Sequence, residues 1–216
     1  MISNLVIDLW VTNDYNKIIL KSIRTDIKIN MKNQQTRKLT LAAMMTAILI
    51  ILGVFPGIPL GFIPIPIIIQ NMGVLLTTEL LGAKYGTLSI SLFLALALFG
   101  LPVLSGGRGG FAVFLGPTGG YLIAWLLVPA ILGAILYLLK QNNQLSWWLE
   151  LIVVIVAGVF FIDVIGSIWL SIQSHMSLTT ALLSNIAFLP GDMIKAILSV
   201  ILARRLRKLP ALQGIF

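Results

Sequence analysis

Two charged residues, Asp192 and Lys195, lie within an apolar stretch near the end of the chain and follow the dipeptide Pro190-Gly191. Residues three apart are neighbours on one helix face. Pro-Gly interrupts a helix, so we expect Asp192 to be the N-cap or a first-turn acid of a restarted helix. At about 1.5 Å per residue, Lys195 lies about 13 Å from the basic cluster that begins at Arg204. Such a pair can clamp an anionic ligand; the alternative is an ion pair that only stabilises the helix break.

Five further polar side chains stand beside breaks in the apolar pattern. Gln70 and Asn71 offer amide donors and acceptors after a proline-rich stretch. Thr118 and Tyr121 begin an apolar run, where the first N–H groups of a helix lack partners. Arg108 lies among four glycines and can swing toward a carboxylate. We expect these groups, with the charged pair, to converge on one end of a helix bundle as a ligand pocket.

The other ionisable residues of the apolar stretches have weaker claims to function. Glu79 and Glu150 lie near the ends of their runs, where we expect them either to snorkel or to pair with basic neighbours. Asp163 is near the middle of a run and needs a partner or a proton, so a structural hydrogen bond and a functional role both stay open. His175 falls in a polar turn and is expected to be solvated.

The composition excludes a water-soluble globule. Of 216 residues, 58% are hydrophobic and 10% charged, and the mean hydropathy is +1.03. Soluble domains carry about 25% charged residues. The formal charge of +8 does not indicate nucleic-acid binding, because the basic residues lie at the ends of apolar runs. The absence of cysteine excludes disulfides and thiolate chemistry.

Motifs for catalysis or ATP binding are missing. The chain has no Gly-x-x-x-x-Gly-Lys-Ser/Thr, no His-Glu-x-x-His and no Gly-x-Ser-x-Gly. The segment from Gly107 to Ala112 resembles a dinucleotide fingerprint only weakly, since no strand–turn–helix unit surrounds it. We expect no catalytic residue, metal or cofactor, and any uphill transport would need an external source of energy.

The apolar pattern predicts an all-α integral membrane protein with six transmembrane helices. A crossing takes about 20 apolar residues, and six apolar runs follow Thr40. They cover 39–55, 64–81, 84–100, 120–139, 147–172 and 177–206.

Three regions are expected from this pattern. Residues 1–38 form a charged N-terminal leader, which we predict to be cytoplasmic and poorly ordered; an interfacial helix is the alternative. Residues 39–208 form the membrane domain, and 209–216 form a cytoplasmic tail.

The basic residues predict the orientation of the bundle. Six crossings place the following basic residues on a single side: Lys32, Arg37, Lys38, Lys84, Lys140, Arg204, Arg205, Arg207 and Lys208. Only Arg108 falls in a connection on the opposite side. Because Lys and Arg accumulate in cytoplasmic loops, both termini are predicted to be cytoplasmic.

Two outward connections are apolar although they are broken by proline and glycine. The first, 53–66, contains four prolines, and the second covers 100–121. Non-helical backbone at membrane depth is tolerated where it is buried in protein or lines a cavity. We expect both to fold over the outer end and cover the pocket; the alternative is a pair of re-entrant loops without a ligand.

Four separated motifs carry a resemblance to a known family. In chain order they are Ile63-Pro-Ile-Pro-Ile-Ile-Ile-Gln70, Gly100-Leu-Pro-Val103, Gly116-Pro-Thr-Gly-Gly-Tyr121 and Leu189-Pro-Gly-Asp-Met-Ile-Lys195. Over about residues 36–208 the chain resembles the BioY family, the biotin-specific substrate-capture subunits of energy-coupling-factor importers. Residues 1–30 have no recognised counterpart.

The resemblance implies a six-helix subunit of the bacterial cell membrane that binds biotin from outside with high affinity. It also implies three partner subunits, namely a transmembrane coupling subunit and two cytoplasmic ATPases. No cofactor and no nucleic acid are implied.

A small-residue face on the first run suits close helix approach, because Ala43 and Ala47 are four apart. The resemblance implies that the coupling subunit docks there; a close contact within the chain is the alternative.

Two other classes of function stay open on the residues alone. One is a membrane-embedded enzyme that uses Asp192 and Lys195 as acid and base. The other is a channel or stand-alone facilitator for a small anionic metabolite. Binding without turnover, and uptake that depends on ATPases, would distinguish the importer subunit from both.

Overall fold

A computed structural model describes residues 34–59, 61, 65–142 and 144–212. In this part of the chain the regular secondary structure is helical, apart from two isolated β-bridges. The α-helices are α1 (Gln34–Val54), α2 (Gln70–Leu98), α3 (Phe111–Leu115), α4 (Gly119–Gln141), α5 (Trp147–Val154), α6 (Phe161–Gln173), α7 (Leu178–Asn185) and α8 (Leu189–Arg207). A π-helical segment, Ile155–Phe160, joins α5 to α6, and a 3-10 turn, Pro210–Leu212, follows α8.

Four helical segments are long and apolar enough to cross a membrane. They are α1, α2, α4 and the continuous segment Trp147–Gln173. The pair α7 and α8, bent by 54°, is a fifth if it is counted as one span. The protein is therefore an all-α, multi-pass membrane protein, as the composition predicts.

The helix α2 is broken at Gly82, where φ is 66° and ψ is −166°. A Cβ at Gly86 would lie 3.5 Å from the Cα of Thr78. Eight residues of uninterrupted helix would separate these positions by about 12 Å. The two halves of α2, 70–81 and 83–98, therefore fold back beside each other. Glycine permits the turn because positive φ carries no Cβ penalty there.

The first helix begins earlier than predicted. It includes residues 34–38, which the sequence pattern assigns to the leader. Gln, Arg and Lys are good helix formers, so the helix continues beyond the apolar run into the polar flank. Residues 1–33, with the proposed interfacial helix, and 213–216 of the predicted tail lie outside the described residues.

The break in the last span also differs from the prediction. Helix α7 ends at Asn185, and α8 begins at Leu189 with Phe188 as its N-cap. Pro190 lies inside the first turn, where its missing N–H would have no helical partner. Of the two predicted positions for Asp192, N-cap or first-turn acid, the structure confirms the second.

The middle of the bundle is filled by large apolar side chains. Trp125, Phe93 and Leu49 are almost completely buried. The rings of Phe93 and Trp125 lie 6.3 Å apart between centroids. In the second half of α4, a Cβ on Gly133 would come within 2.5 Å of the backbone nitrogen of Ala83. This glycine lets α4 pack directly on the turn of α2.

One end of the bundle, here called the basic end, collects lysines and arginines. Lys38 and Lys84 approach the ring of Tyr85 at 6.0 and 5.5 Å. These contacts join the start of α1 to the turn of α2.

Both acids of the basic end are paired, which is one of the two arrangements expected from the sequence. Glu150 accepts from Arg204 and, at 2.6 Å, from Nη1 of Arg207. Glu79 accepts from the hydroxyl of Ser199 and lies 3.9 Å from Arg207. These bonds tie α2 and α5 to the end of α8.

Candidate functional site

A cavity of about 590 Å³, including its open mouth, lies at the end of the bundle opposite the basic end. It is formed by α2, α4, α6, α8 and the two connections that precede α2 and α4. All seven residues that the sequence singles out for ligand binding line it: Gln70, Asn71, Arg108, Thr118, Tyr121, Asp192 and Lys195. Apolar side chains make up most of the remaining wall.

The charged pair forms the centre of a hydrogen-bonded chain. Lys195 Nζ donates to Asp192 Oδ1 at 2.8 Å, and the two side chains are 13% and 5% exposed. Asn71 Nδ2 approaches the same oxygen at 3.4 Å, while its Oδ1 accepts from Trp125 Nε1 at 2.9 Å. An ammonium has three donors, so the contact with Asp192 leaves Lys195 able to donate to a ligand.

Gln70 lines the cavity but its amide is committed to backbone groups. Its Nε2 donates to the carbonyls of Leu49 and Val103, each at 3.0 Å. Its Oε1 accepts from the N–H of Ser105 at 2.8 Å. The side chain therefore joins α1 to the connection 99–110 and holds the cavity wall in place.

Tyr121 is held from the far side by α6 and α7. Its hydroxyl donates to Asn185 Oδ1 at 2.8 Å. Asn185 Nδ2 in turn donates to Ser167 Oγ at 2.6 Å and to the carbonyl of Asp163 at 2.8 Å. Gly166 packs so closely on the ring of Tyr121 that a Cβ would lie 2.3 Å away. The tyrosine oxygen is thus fixed in place and can still accept a hydrogen bond.

The start of α4 differs from the prediction. Thr118 is the N-cap but makes no side-chain cap bond; its hydroxyl lies 3.4 Å from the carbonyl of Val113. The N–H groups of Gly119 and Tyr121 donate to Gly116 and Thr118. These donors are paired because a tight turn precedes the helix, so they do not form the open set of N–H groups expected from the sequence.

Arg108 lies on a tight turn at the cavity mouth. Gly106 and Gly107 have φ of 76° and 70°, and Leu104 and Arg108 form an antiparallel bridge. Arg108 Nε donates to the carbonyl of Ser105 at 3.1 Å. Its two terminal nitrogens carry the donors that suit a carboxylate.

The two connections contact each other over the cavity. Within the first connection, Ile58 and Ile67 exchange backbone hydrogen bonds of 2.9 Å. Ser105 Oγ donates to the carbonyl of Phe55 at 2.9 Å, and Gly106 N–H donates to Gly53 at 3.2 Å. Residues 65–68 line the cavity, whereas residues 60 and 62–64, with part of the first motif, lie outside the described residues.

Asp163 and Trp125 also line the cavity, although they were not among the predicted site residues. Asp163 is 6% exposed, and its Oδ2 is buried without a hydrogen bond from any residue that the structure describes. The sequence signal that could have identified Asp163 as a site residue is its ionisable side chain within an apolar run. Trp125 orients Asn71, and its only sequence signal is its position one helical turn after Tyr121.

The comparisons with known proteins agree with this geometry. A family model described as the BioY family matches residues 25–211. The chain belongs to the BioY family. The match begins at residue 25, so it includes part of the leader segment for which the sequence motifs show no counterpart.

Relatives of this BioY chain are named as biotin transporters. One from Lactococcus lactis subsp. cremoris (strain MG1363), "Biotin transporter BioY", is 58% identical over 82% of this chain and 93% of that protein. "Biotin transporter BioY" from Rhizobium etli is 37% identical over 78% of this chain and 92% of its own length.

A solved structure gives the same result for the fold of this BioY chain. It is described as the S-component for biotin from an ECF-type ABC transporter, and the TM-score is 0.79 at 58% identity. The alignment covers 82% of this chain and 94% of that one. The family and these relatives are transporter components rather than enzymes.

Proposed function

We propose that this chain is the biotin-binding membrane subunit of an energy-coupling-factor vitamin importer. The observation that carries the proposal is the cavity lined by all seven predicted residues, in a chain 58% identical to a biotin S-component of the same fold. The subunit captures biotin from outside and delivers it together with a coupling subunit and two ATPases.

The chemistry of biotin matches the cavity. Biotin has a carboxylate, an apolar chain and ring, and a ureido group with two N–H donors and one acceptor. The cavity supplies apolar walls together with two cations, Arg108 and Lys195, and two carboxylates, Asp163 and Asp192. A mostly apolar pocket with a few convergent polar groups suits such a ligand.

We assign two kinds of role to the predicted residues. Those that contact biotin are Asn71, Arg108, Thr118, Tyr121, Asp192 and Lys195. Gln70 is a positioning residue, because its amide is bonded to three backbone groups.

The chain crosses the membrane six times in this proposal. The fold-back of α2 at Gly82 supports two crossings within that helix, and α7 with α8 supplies the last one. The connections over the cavity then face outward, and the basic end and both termini face the cytoplasm. The gathering of lysines and arginines at the basic end supports this orientation.

Helix α1 presents the surface for the coupling subunit. Ala43 and Ala47 are exposed, together with Met44 and Ile48. Their exposure supports docking of a partner helix over the alternative of a close contact within the chain. Small residues let two membrane helices approach closely.

Ligand identification tests the proposal. The full chain is purified from cells grown with biotin, and the co-purified small molecules are identified by mass spectrometry. We expect biotin at about one molecule per chain, and uptake only when the coupling subunit and ATPases are co-expressed. Turnover of the ligand would indicate an enzyme, and ATPase-independent uptake would indicate a facilitator; either result contradicts the proposal.

A further inference from the structure

A second cavity lies at the basic end, between α1, α2, α4 and α8. We call it the basic cavity, and its charged and hydrogen-bonding lining includes Lys38, Glu79, Tyr137, Lys140 and Arg207. It has about 720 Å³ of empty space, including the part open to solvent. The biotin cavity shares no lining residue with it.

The arginine and the acid of the basic cavity belong to a balanced ion network. Arg207 donates to Glu150 at 2.6 Å and to the carbonyl of Glu79 at 2.8 Å. Arg204 binds the other carboxylate oxygen of Glu150. Two arginines thus face two glutamates, so the formal charges of this network balance.

Among the described residues that line the basic cavity, the cations Lys38, Lys140 and Arg207 outnumber the one carboxylate, Glu79. Lys38 approaches from α1 and Lys140 from the end of α4. Lys140 also borders an adjoining cavity that contains Arg204 and Lys208. An anionic group is therefore the ligand whose charge fits this space.

The basic cavity lies beside large side chains that are exposed on the outside of α4. Leu80, Leu81 and Leu136 form its apolar wall. Tyr137 lines the cavity and is 60% exposed, and the next residue, Leu138, is 59% exposed on the outside of α4. The cavity therefore reaches the depth at which tyrosine and lipid headgroups meet.

Tyr137 adds a directed donor at this boundary. Its hydroxyl accepts a hydrogen bond from Gln141 Nε2, and so its own proton remains for an acceptor oxygen. A phosphate oxygen placed between Lys38 and Lys140 offers such an acceptor.

We propose that the basic cavity binds the phosphate of an anionic phospholipid, whose acyl chains lie along α4 beside Leu138. Basic pockets between membrane helices bind such headgroups through charge attraction. The apolar surface beside the cavity favours a lipid over free phosphate. The proposal does not depend on the identity of the ligand in the outer cavity.

Native mass spectrometry of the full chain in a non-ionic detergent tests the proposal, with phosphatidylglycerol titrated as the probe. The test variant combines Lys38→Gln with Lys140→Gln. The matched control combines Lys84→Gln with Arg205→Gln, which removes equal charge from the basic end outside the cavity lining. We expect the test variant to need about tenfold more lipid for half occupancy, and the control less than about twofold.

Three further results decide the source and specificity of binding. Phosphatidylcholine should bind the wild type and both double variants equally, and inorganic phosphate at the lipid's concentration should not displace phosphatidylglycerol. Equal losses in the two double variants would show unspecific surface attraction and overturn the proposal. Displacement by inorganic phosphate would show that the cavity binds free anions, and it would contradict the proposal that the ligand is a lipid. Melting temperatures of both variants within a few degrees of the wild type verify that the chains are folded.

Discussion

The indole Nε1 of Trp125 donates to the side-chain oxygen of Asn71 at 2.9 Å. This bond fixes which end of the Asn71 amide faces the charged pair, because the oxygen is occupied and Nδ2 then points toward Asp192 at 3.4 Å. A buried tryptophan of the core thus sets the donor pattern of the cavity.

Trp125→Phe should weaken biotin binding by about three- to tenfold, the range that corresponds to loss of one ordinary hydrogen bond. The amide of Asn71 would then be able to rotate and offer its oxygen to Asp192. Calorimetry in detergent measures the change. Trp148→Phe, at a position 69% exposed, is the control and should leave affinity unchanged. Equal affinity in both variants would contradict the orienting role.

Lys195→Met and Asp192→Asn should each weaken biotin binding by at least about tenfold. A hydrogen bond to a charged group contributes about 1.5–3 kcal/mol, and removal of one member of a buried pair strands the other. The double variant should show less than the sum of the two losses, since both residues act on one site. Titration calorimetry with Lys84→Met as the control separates this from a general loss of charge.

The same variants test which group the ammonium faces. If Lys195 binds the carboxylate, Lys195→Met should discriminate less between biotin and its neutral carboxamide. Unchanged discrimination would transfer that role to Arg108. Wild-type affinity in both single variants, with intact folding, would return the pair to a structural role.

Asp163→Asn should raise the melting temperature of the ligand-free protein and lower its affinity for biotin. The buried Oδ2 of Asp163 accepts no hydrogen bond from the described residues, and a buried unpaired carboxylate is costly. We expect a donor of the ligand, such as a ureido N–H, to satisfy it. Asp192→Asn is the contrasting variant, because it strands Lys195 and should lower the melting temperature. A fall in melting temperature for Asp163→Asn would indicate a structural role.

Gly82→Ala should destabilise the protein by about 1–3 kcal/mol through backbone strain alone. The residue has a positive φ of 66°, and no atom lies within 4 Å of an added Cβ. Gly191→Ala is the matched control: its φ is not positive, and the nearest atom is 3.9 Å from an added Cβ. Thermal unfolding should show a lower melting temperature only for the first variant. Equal melting temperatures would contradict the strained turn.

Ala43→Leu combined with Ala47→Leu should leave biotin affinity near the wild-type value and abolish most uptake in cells that express the coupling subunit and ATPases. Both residues are exposed on α1 and lie outside the biotin cavity. Co-purification with the coupling subunit measures assembly directly. Normal assembly and uptake would show that the partner docks elsewhere.

Hydropathy and charge predicted much of this architecture because they act over whole helices. The apolar runs correspond to α1, the halves of α2, α4, the segment Trp147–Gln173 and the pair α7–α8. Lysines and arginines do gather at one end, away from Arg108 and Lys195. The residues at which individual helices begin and end were less predictable. Helix α8 begins before Pro190 because proline is tolerated in a first turn.

In the candidate site, the sequence predicted which residues line the cavity but not which partners they have. The seven polar residues were recognised by type and position, and all of them line one cavity; their contacts with a ligand stay predictions. The sequence did not show that the side-chain amide of Gln70 is hydrogen-bonded to backbone groups of distant segments. It also left the role of Asp163 open, because that role depends on which partners the fold brings near. Such pairings are set by tertiary packing.

The fold-back of α2 has a consequence for how the protein enters its membrane. The first half, 70–81, is about 18 Å long at 1.5 Å per residue, whereas the hydrocarbon core is about 30 Å thick. This half also contains Glu79, whose charge opposes insertion. Alone it is too short and too polar to be retained as a crossing. We therefore expect the insertion machinery to accept both halves together as a hairpin, so that the turn at Gly82 must form during biosynthesis rather than after it.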